Sequence, residues 1–186
     1  MKHLYLFVLS IILCSFASHA GGVKPDNYIV MKESGDTVPI FGEVSKDDFF
    51  VHYKDAGGKK ASMAQAKITM MAAGGDIFFN LEIARHVNRL QKIIATNNKY
   101  ILTEYDDKNG SFLYVWDKNF VNIESRLYCN SVTSTTGPTR YGKKLVNETL
   151  AKYFGSCKEL IDMLNENLKT GFLTNGISNY QCTEME

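Results

Sequence analysis

From Asn27 to Leu127 apolar and polar residues alternate with period two, and turn-forming residues cut the alternation into short runs. Period two is the signature of a strand with one face buried. Connections this short cannot carry parallel crossovers, so the runs must pair as antiparallel neighbours. The chain therefore reads as α+β, mainly antiparallel β, built as a meander that is barrel-like, strongly twisted or folded into a sandwich.

The runs are NYIVMK (Asn27 to Lys32), TVPIFGEV (Thr37 to Val44), DFFVHY (Asp48 to Tyr53), AKITMMA (Ala66 to Ala72), IFFNLEI (Ile77 to Ile83), KYILTEY (Lys99 to Tyr105), SFLYVW (Ser111 to Trp116) and FVNIESRLY (Phe120 to Tyr128). Glu33-Ser34-Gly35-Asp36 and Asp106-Asp107-Lys108-Asn109-Gly110 supply hairpin turns. Pro39 has no amide to donate, which places its strand at a sheet edge. Arg85 to Thr96 fits a helix through Val87, Leu90 and Ile94, and fits a strand through Ile93-Ile94 and the Asn97-Asn98 turn; strand is the reading adopted.

After the polar loop Asn130 to Tyr141 the period changes. Val146, Leu150, Tyr153 and Phe154 share one helical face, and Gly155 stands where a left-handed C-cap would sit. Ser156-Cys157-Lys158-Glu159 has the form of a capping box opening a second helix. That helix aligns Cys157, Leu160, Ile161, Leu164 and Leu168 on one apolar stripe. The stretch 142–182 thus reads as one or two helices and a tail that close a single β-rich domain over residues 21–186.

Ahead of that domain, residues 1–20 join Lys2 to an apolar run from Leu4 to Ala17 and end in Ser18-His19-Ala20, the pattern of a signal peptide cut after Ala20. The run is shorter than the roughly 20 residues that span a bilayer, and no later stretch approaches that length. A periplasmic or extracellular location is expected, with no transmembrane segment in the mature chain. Without Lys2 the basic side chains balance the 20 acidic ones. Such a surface gives no electrostatic basis for nucleic-acid binding.

Three cysteines remain after export: Cys129, Cys157 and Cys182. Outside the cytoplasm this suggests one disulfide and one leftover thiol. Three pairings are open, and Cys157 with Cys182 is favoured because both lie in the closing segment. The competing role for Cys157 is a reactive thiol at a helix start, against which stands its place on the buried face.

Other constellations read as turn chemistry. GPTRYGKK (Gly137 to Lys144) lacks the hydroxyl a P-loop needs at its last position, where Lys144 stands. Asp47-Asp48 and Asp106-Asp107 occupy turns, where aspartate serves the backbone. His52 and His86 have no metal-ligand spacing. No catalytic residue, metal site or cofactor is assigned. Tyr100, Tyr105, Phe112, Tyr114 and Trp116 crowd the late strands, and an exposed subset of them would offer a binding face to a protein or glycan partner.

The Gly35-Asp36-Thr37 turn following an extended segment, together with the helix Tyr153-Phe154-Gly155-x-Cys157-x-x-Leu160 and the closing GISNYQC, resembles small exported proteins of Bacteroidota. The resemblance implies a β-rich exported protein and adds support to the Cys157–Cys182 pairing, but implies no activity. The functional expectation is a non-catalytic binding or envelope-associated module. The alternatives are a hydrolase using turn carboxylates or the Cys157 thiol, and a subunit that pairs through its Pro39 edge strand.

Overall fold

A computed structural model describes residues 27–85, 87–107, 110–129 and 132–183. The signal-peptide expectation, His86 and the hairpin residues Lys108 and Asn109 lie outside these described residues.

Antiparallel strands dominate, as the alternation requires. In chain order they are β1 (Tyr28–Met31), β2 (Thr37–Pro39), β3 (Phe41–Lys46), β4 (Phe50–Lys54), β5 (Lys60–Ala64), β6 (Ile68–Ala73), β7 (Asp76–Ala84), β8 (Val87–Thr96), β9 (Tyr100–Asp107), β10 (Gly110–Asp117) and β11 (Asn122–Tyr128). Two short pieces, β12 (Thr133–Ser134) and β13 (Gly137–Pro138), pair within the polar loop, and β14 (Tyr180–Gln181) comes last. The main sheet has the order β11-β10-β9-β8-β7-β6-β1-β2, with β14 added in parallel to β8. It stays open, so the barrel alternative is not realised. A second sheet holds β3-β4-β5.

Strand ends shift by a few residues from the sequence reading, Asp106 and Asp107 falling within β9 and not in the hairpin turn, and two differences change the topology. Thr37 to Val44 is not one strand: β2 ends on Pro39 at the edge of the main sheet, and β3 starts the second sheet. Proline cannot extend the ladder, and Gly42 at φ +68° bends the chain into its new partner. Residues 60–64, not assigned to a strand from the sequence although Lys60-Ala61-Ser62-Met63 alternates, become β5 by pairing with β4. Arg85 to Thr96 settles as strand from Val87 onward, paired on both edges.

The helices begin at Thr139, whose hydroxyl caps Gly142 N–H at 3.0 Å. From there α1 (Arg140–Lys144) passes through a π-helical segment (Leu145–Leu150) into α2 (Ala151–Phe154), one continuous run over 140–154. A Cβ on Gly142 would overlap the carbonyl oxygen of Val132 and approach Leu168 to 2.9 Å. The glycine in the near-P-loop is therefore a close-packing residue. The next helix, α3 (Lys158–Asn167), is capped by Cys157 without a side-chain bond, and Gly155 is right-handed at φ −63°. Neither the left-handed cap nor the capping box forms, because the Cys157 amide turns back to the carbonyl of Phe154.

Three apolar clusters hold these layers. Leu102, Leu113, Val115 and Ile94 on one sheet face meet Val146, Leu150, Phe154, Leu160 and Leu164 from the helices. Further along that face Ile29, Met71 and Leu90 meet Val51 of the second sheet. On the reverse face Leu81, Ile93, Ile101, Tyr105, Tyr114 and Trp116 pack together. Phe79 of β7 lies 5.3 Å from Phe120, beyond β10, so the sheet curls around this third cluster.

Cys157 and Cys182 form the disulfide, with Cα atoms 5.4 Å apart. It ties the start of α3 to the residue after β14, and Cys129 is the free, buried thiol.

Candidate functional site

The sheet registers define a seam between the helix-covered and sheet-covered halves of one face. Phe78 stands opposite Lys92, Lys92 opposite Glu104, and Glu104 opposite Leu113. Phe78 belongs to the cluster under the second sheet and Leu113 to the cluster under the helices. Two charged side chains thus occupy positions in phase with buried leucines, between the two clusters. The next pair along, Asp106 opposite Ser111, is also polar, and Ser111 Oγ donates to Asp106.

The loop 171–176 after α3 walls this seam. Leu173 anchors it in the core, and Asn167 Nδ2 donates to the carbonyls of Leu173 (3.0 Å) and Asn175 (2.8 Å). Between loop and sheet lies a groove of about 270 Å³ lined by Lys92, Glu104, Asp106, Ser111, Phe172 and Thr174 among others. Cys129 also lines it. Phe172 is 72% exposed at the groove, the most exposed of the large apolar side chains described.

Electrostatics single out Glu104. Burial, and then the neighbouring Asp106 carboxylate, push its carboxyl up to about 7, while the Thr174 hydroxyl, Lys92 and Lys46 act in the opposite sense. Thr174 Oγ1 sits 2.8 and 2.9 Å from the two Glu104 oxygens. Lys92 is held by Asp76 at 3.2 Å, and Asp76 also accepts from Ser178 Oγ at 2.6 Å. From the second sheet, Lys46 approaches Asp106, Glu104 and Asp48. Burial lowers its pKa, and the three carboxylates resist that fall. The Cys129 thiol is raised by burial first and by Glu104 and Asp106 next, so it stays protonated and is no nucleophile.

The residues singled out from sequence fall elsewhere. Tyr105, Tyr114 and Trp116 are buried in the cluster on the reverse face, and Phe112 packs against it. Tyr100 has the opposite parity and packs against Tyr153 and Phe154 on the helix side. Alternation divides these aromatics between two cores, so the five do not make one exposed face. Trp116 Nε1 donates to Thr103 Oγ1 (2.8 Å), and Thr103 donates to Gln91 Oε1 (2.5 Å), a polar thread inside that core.

Of Asp47, Asp48 and Asp106, only Asp106 lines the groove. Asp47 caps its own turn, accepting from Phe49 and Phe50 N–H and bonding His52, and the His52 bond followed by those amides lowers it to about 2. Asp48 accepts from Tyr105 Oη at 3.1 Å. Cys157 is bridged, which removes it as a thiol nucleophile. Among the described residues no cluster of three or more His, Cys, Asp or Glu side chains could hold a metal ion. Arg140, Lys143 and Lys144 border a broader hollow of about 670 Å³ on the open helix surface, but all three are exposed and no enclosed group faces it.

Glu104, Lys92 and Thr174 were missed in the sequence. The available signal was phase: Glu104 follows Leu102 by two, and Lys92 lies between Leu90 and Ile94 at the same spacing. No family model matches this chain, and comparison with curated proteins and with solved structures finds no match.

Proposed function

We propose that the protein is an exported, non-catalytic binding module, and that the groove between loop 171–176 and strands β9 and β10 receives a small polar ligand. Glu104 carries this reading. A carboxyl held in phase with Leu102 and raised to about 7 costs stability that a leucine or threonine there would not. Sequences break the rule for a buried position where a site needs it, and perturbed ionisable groups concentrate in such sites. The groove adds acceptors in Glu104 and Asp106, an ammonium donor in Lys92 and two hydroxyls, all on rigid strands or an anchored loop.

Export rests on the N-terminal pattern of the sequence and agrees with a disulfide that joins the closing segment. Among the described residues no helix is long and apolar enough to cross a membrane. The reading is tested by a thermal-shift screen of polar metabolites and oligosaccharides on the mature chain and on Asp106→Asn. Compounds that raise the melting temperature of the mature chain and lose that effect in Asp106→Asn support it. Stabilisation that is indifferent to Asp106→Asn places the ligand elsewhere and refutes it.

A further inference from the structure

The groove's lining narrows the chemistry of what it takes, and this step rests on the binding reading above. A compact anion would meet Glu104 and Asp106. A compact cation would meet the ammonium of Lys92. An apolar ligand would strip water from charged groups and return no hydrogen bonds. Lys92 is already paired with Asp76, Glu104 accepts from Thr174 and Asp106 from Ser111. No charge in the lining therefore calls for an ionic partner, and the groove favours a neutral molecule whose groups both donate and accept, as hydroxyls do. At about 270 Å³ the groove holds one ring rather than a chain. Its exposed aromatic, Phe172, offers a π-face whose negative quadrupole attracts the C–H face of such a ring.

We infer that the groove binds a single neutral sugar residue, its hydroxyls shared among Lys92, Glu104, Asp106 and Ser111 and its C–H face laid on Phe172. Thr174 already spends its hydroxyl proton on Glu104, which leaves Glu104 fixed in direction before a ligand arrives. Preorganisation of this kind lowers the ordering cost of binding.

The test is an NMR titration of the full mature chain with methyl glucoside, methyl galactoside and methyl N-acetylglucosaminide, against glucosamine and glucuronate as charged counterparts. The expected result is that at least one neutral sugar shifts the amides of Ser111, Phe172 and Thr174 with a Kd in about the millimolar range. Phe172→Ala, a surface change that leaves the core intact, should weaken that binding about tenfold. Tighter binding of glucosamine or glucuronate at those same amides overturns the assignment of a neutral ligand and keeps the groove as a site. Shifts confined to other residues and unchanged by Phe172→Ala overturn both. Absence of shifts with every neutral sugar at about 0.1 M, far above a millimolar Kd, overturns the sugar assignment.

Discussion

Thr174 and Glu104 meet across a groove, the threonine hydroxyl 2.8 and 2.9 Å from the two carboxylate oxygens, although 70 residues separate them in the chain. The contact joins a loop fixed by the last helix to the middle of the meander. It also sets a hydroxyl donor against a carboxyl that burial holds far from its ordinary titration range.

The first prediction concerns that carboxyl. In the unfolded chain Glu104 titrates at about 4.5, and in the fold it is pushed up to about 7. Between those values the folded state keeps a proton that the unfolded state has lost. Stability therefore falls as pH rises through this window and levels off above it, by up to about 3 kcal/mol. Glu104→Gln keeps the shape and removes the proton. Urea unfolding at about pH 4.5 and about pH 8 should show the variant gaining on the wild type as pH rises. A difference that does not change with pH would refute the burial argument.

Gln65 is predicted to be a sensitive buried polar side chain. At Lys92 β8 parts from β9, and the Leu90 amide beyond that point donates to Gln65 Oε1 at 2.9 Å. The same side chain donates to the Asp47 carbonyl, and Gln65 is only 2% exposed. Gln65→Leu strands a buried amide, at a cost of about 2–4 kcal/mol for the two lost bonds. Chemical denaturation measures it, and a loss below about 0.5 kcal/mol, the range of ordinary surface changes, would show that water replaces the amide.

Gly142→Ala should destabilise by more than about 3 kcal/mol, because the added carbon overlaps the Val132 carbonyl. Thermal unfolding is the readout. A near-neutral result would mean that the helix over 140–154 can lift from the loop before it.

Peptide mapping without reduction should recover Cys157 joined to Cys182 and leave Cys129 unlinked. Cys129, buried and raised in pKa, should resist alkylation at about pH 8 until denaturant is added. Replacing the bridged pair by serine should cost about 3 kcal/mol, as expected for a span of 25 residues. Rapid labelling of Cys129 in the native protein would contradict its placement.

The sheet was legible because its signal is local. Ile77, Phe79, Leu81 and Ile83 alternate with polar partners, and β7 forms there. The break at Pro39 was half legible: the missing donor marked an edge, but only the second sheet explains why the chain leaves it. Ser156 and Gly155 misled because their local chemistry suits caps, while the bridge at Cys157 and the turn back to Phe154 fix the backbone otherwise. The groove was hidden for a different reason. Glu104 and Lys92 each break phase in their own strand, but their partnership depends on register and on a place between two clusters.

The last strand has a consequence for the order in which the molecule can be completed. On one edge β8 pairs with β7 as far as Lys92; beyond that point Asn179 N–H reaches the Ile93 carbonyl and Cys182 N–H the Thr96 carbonyl, with β14 between. Until residues 179–182 arrive, that central edge stands open and Cys157 lacks its native partner. A chain threaded through a membrane from its N-terminus would leave the sheet unfinished until residue 182 has crossed.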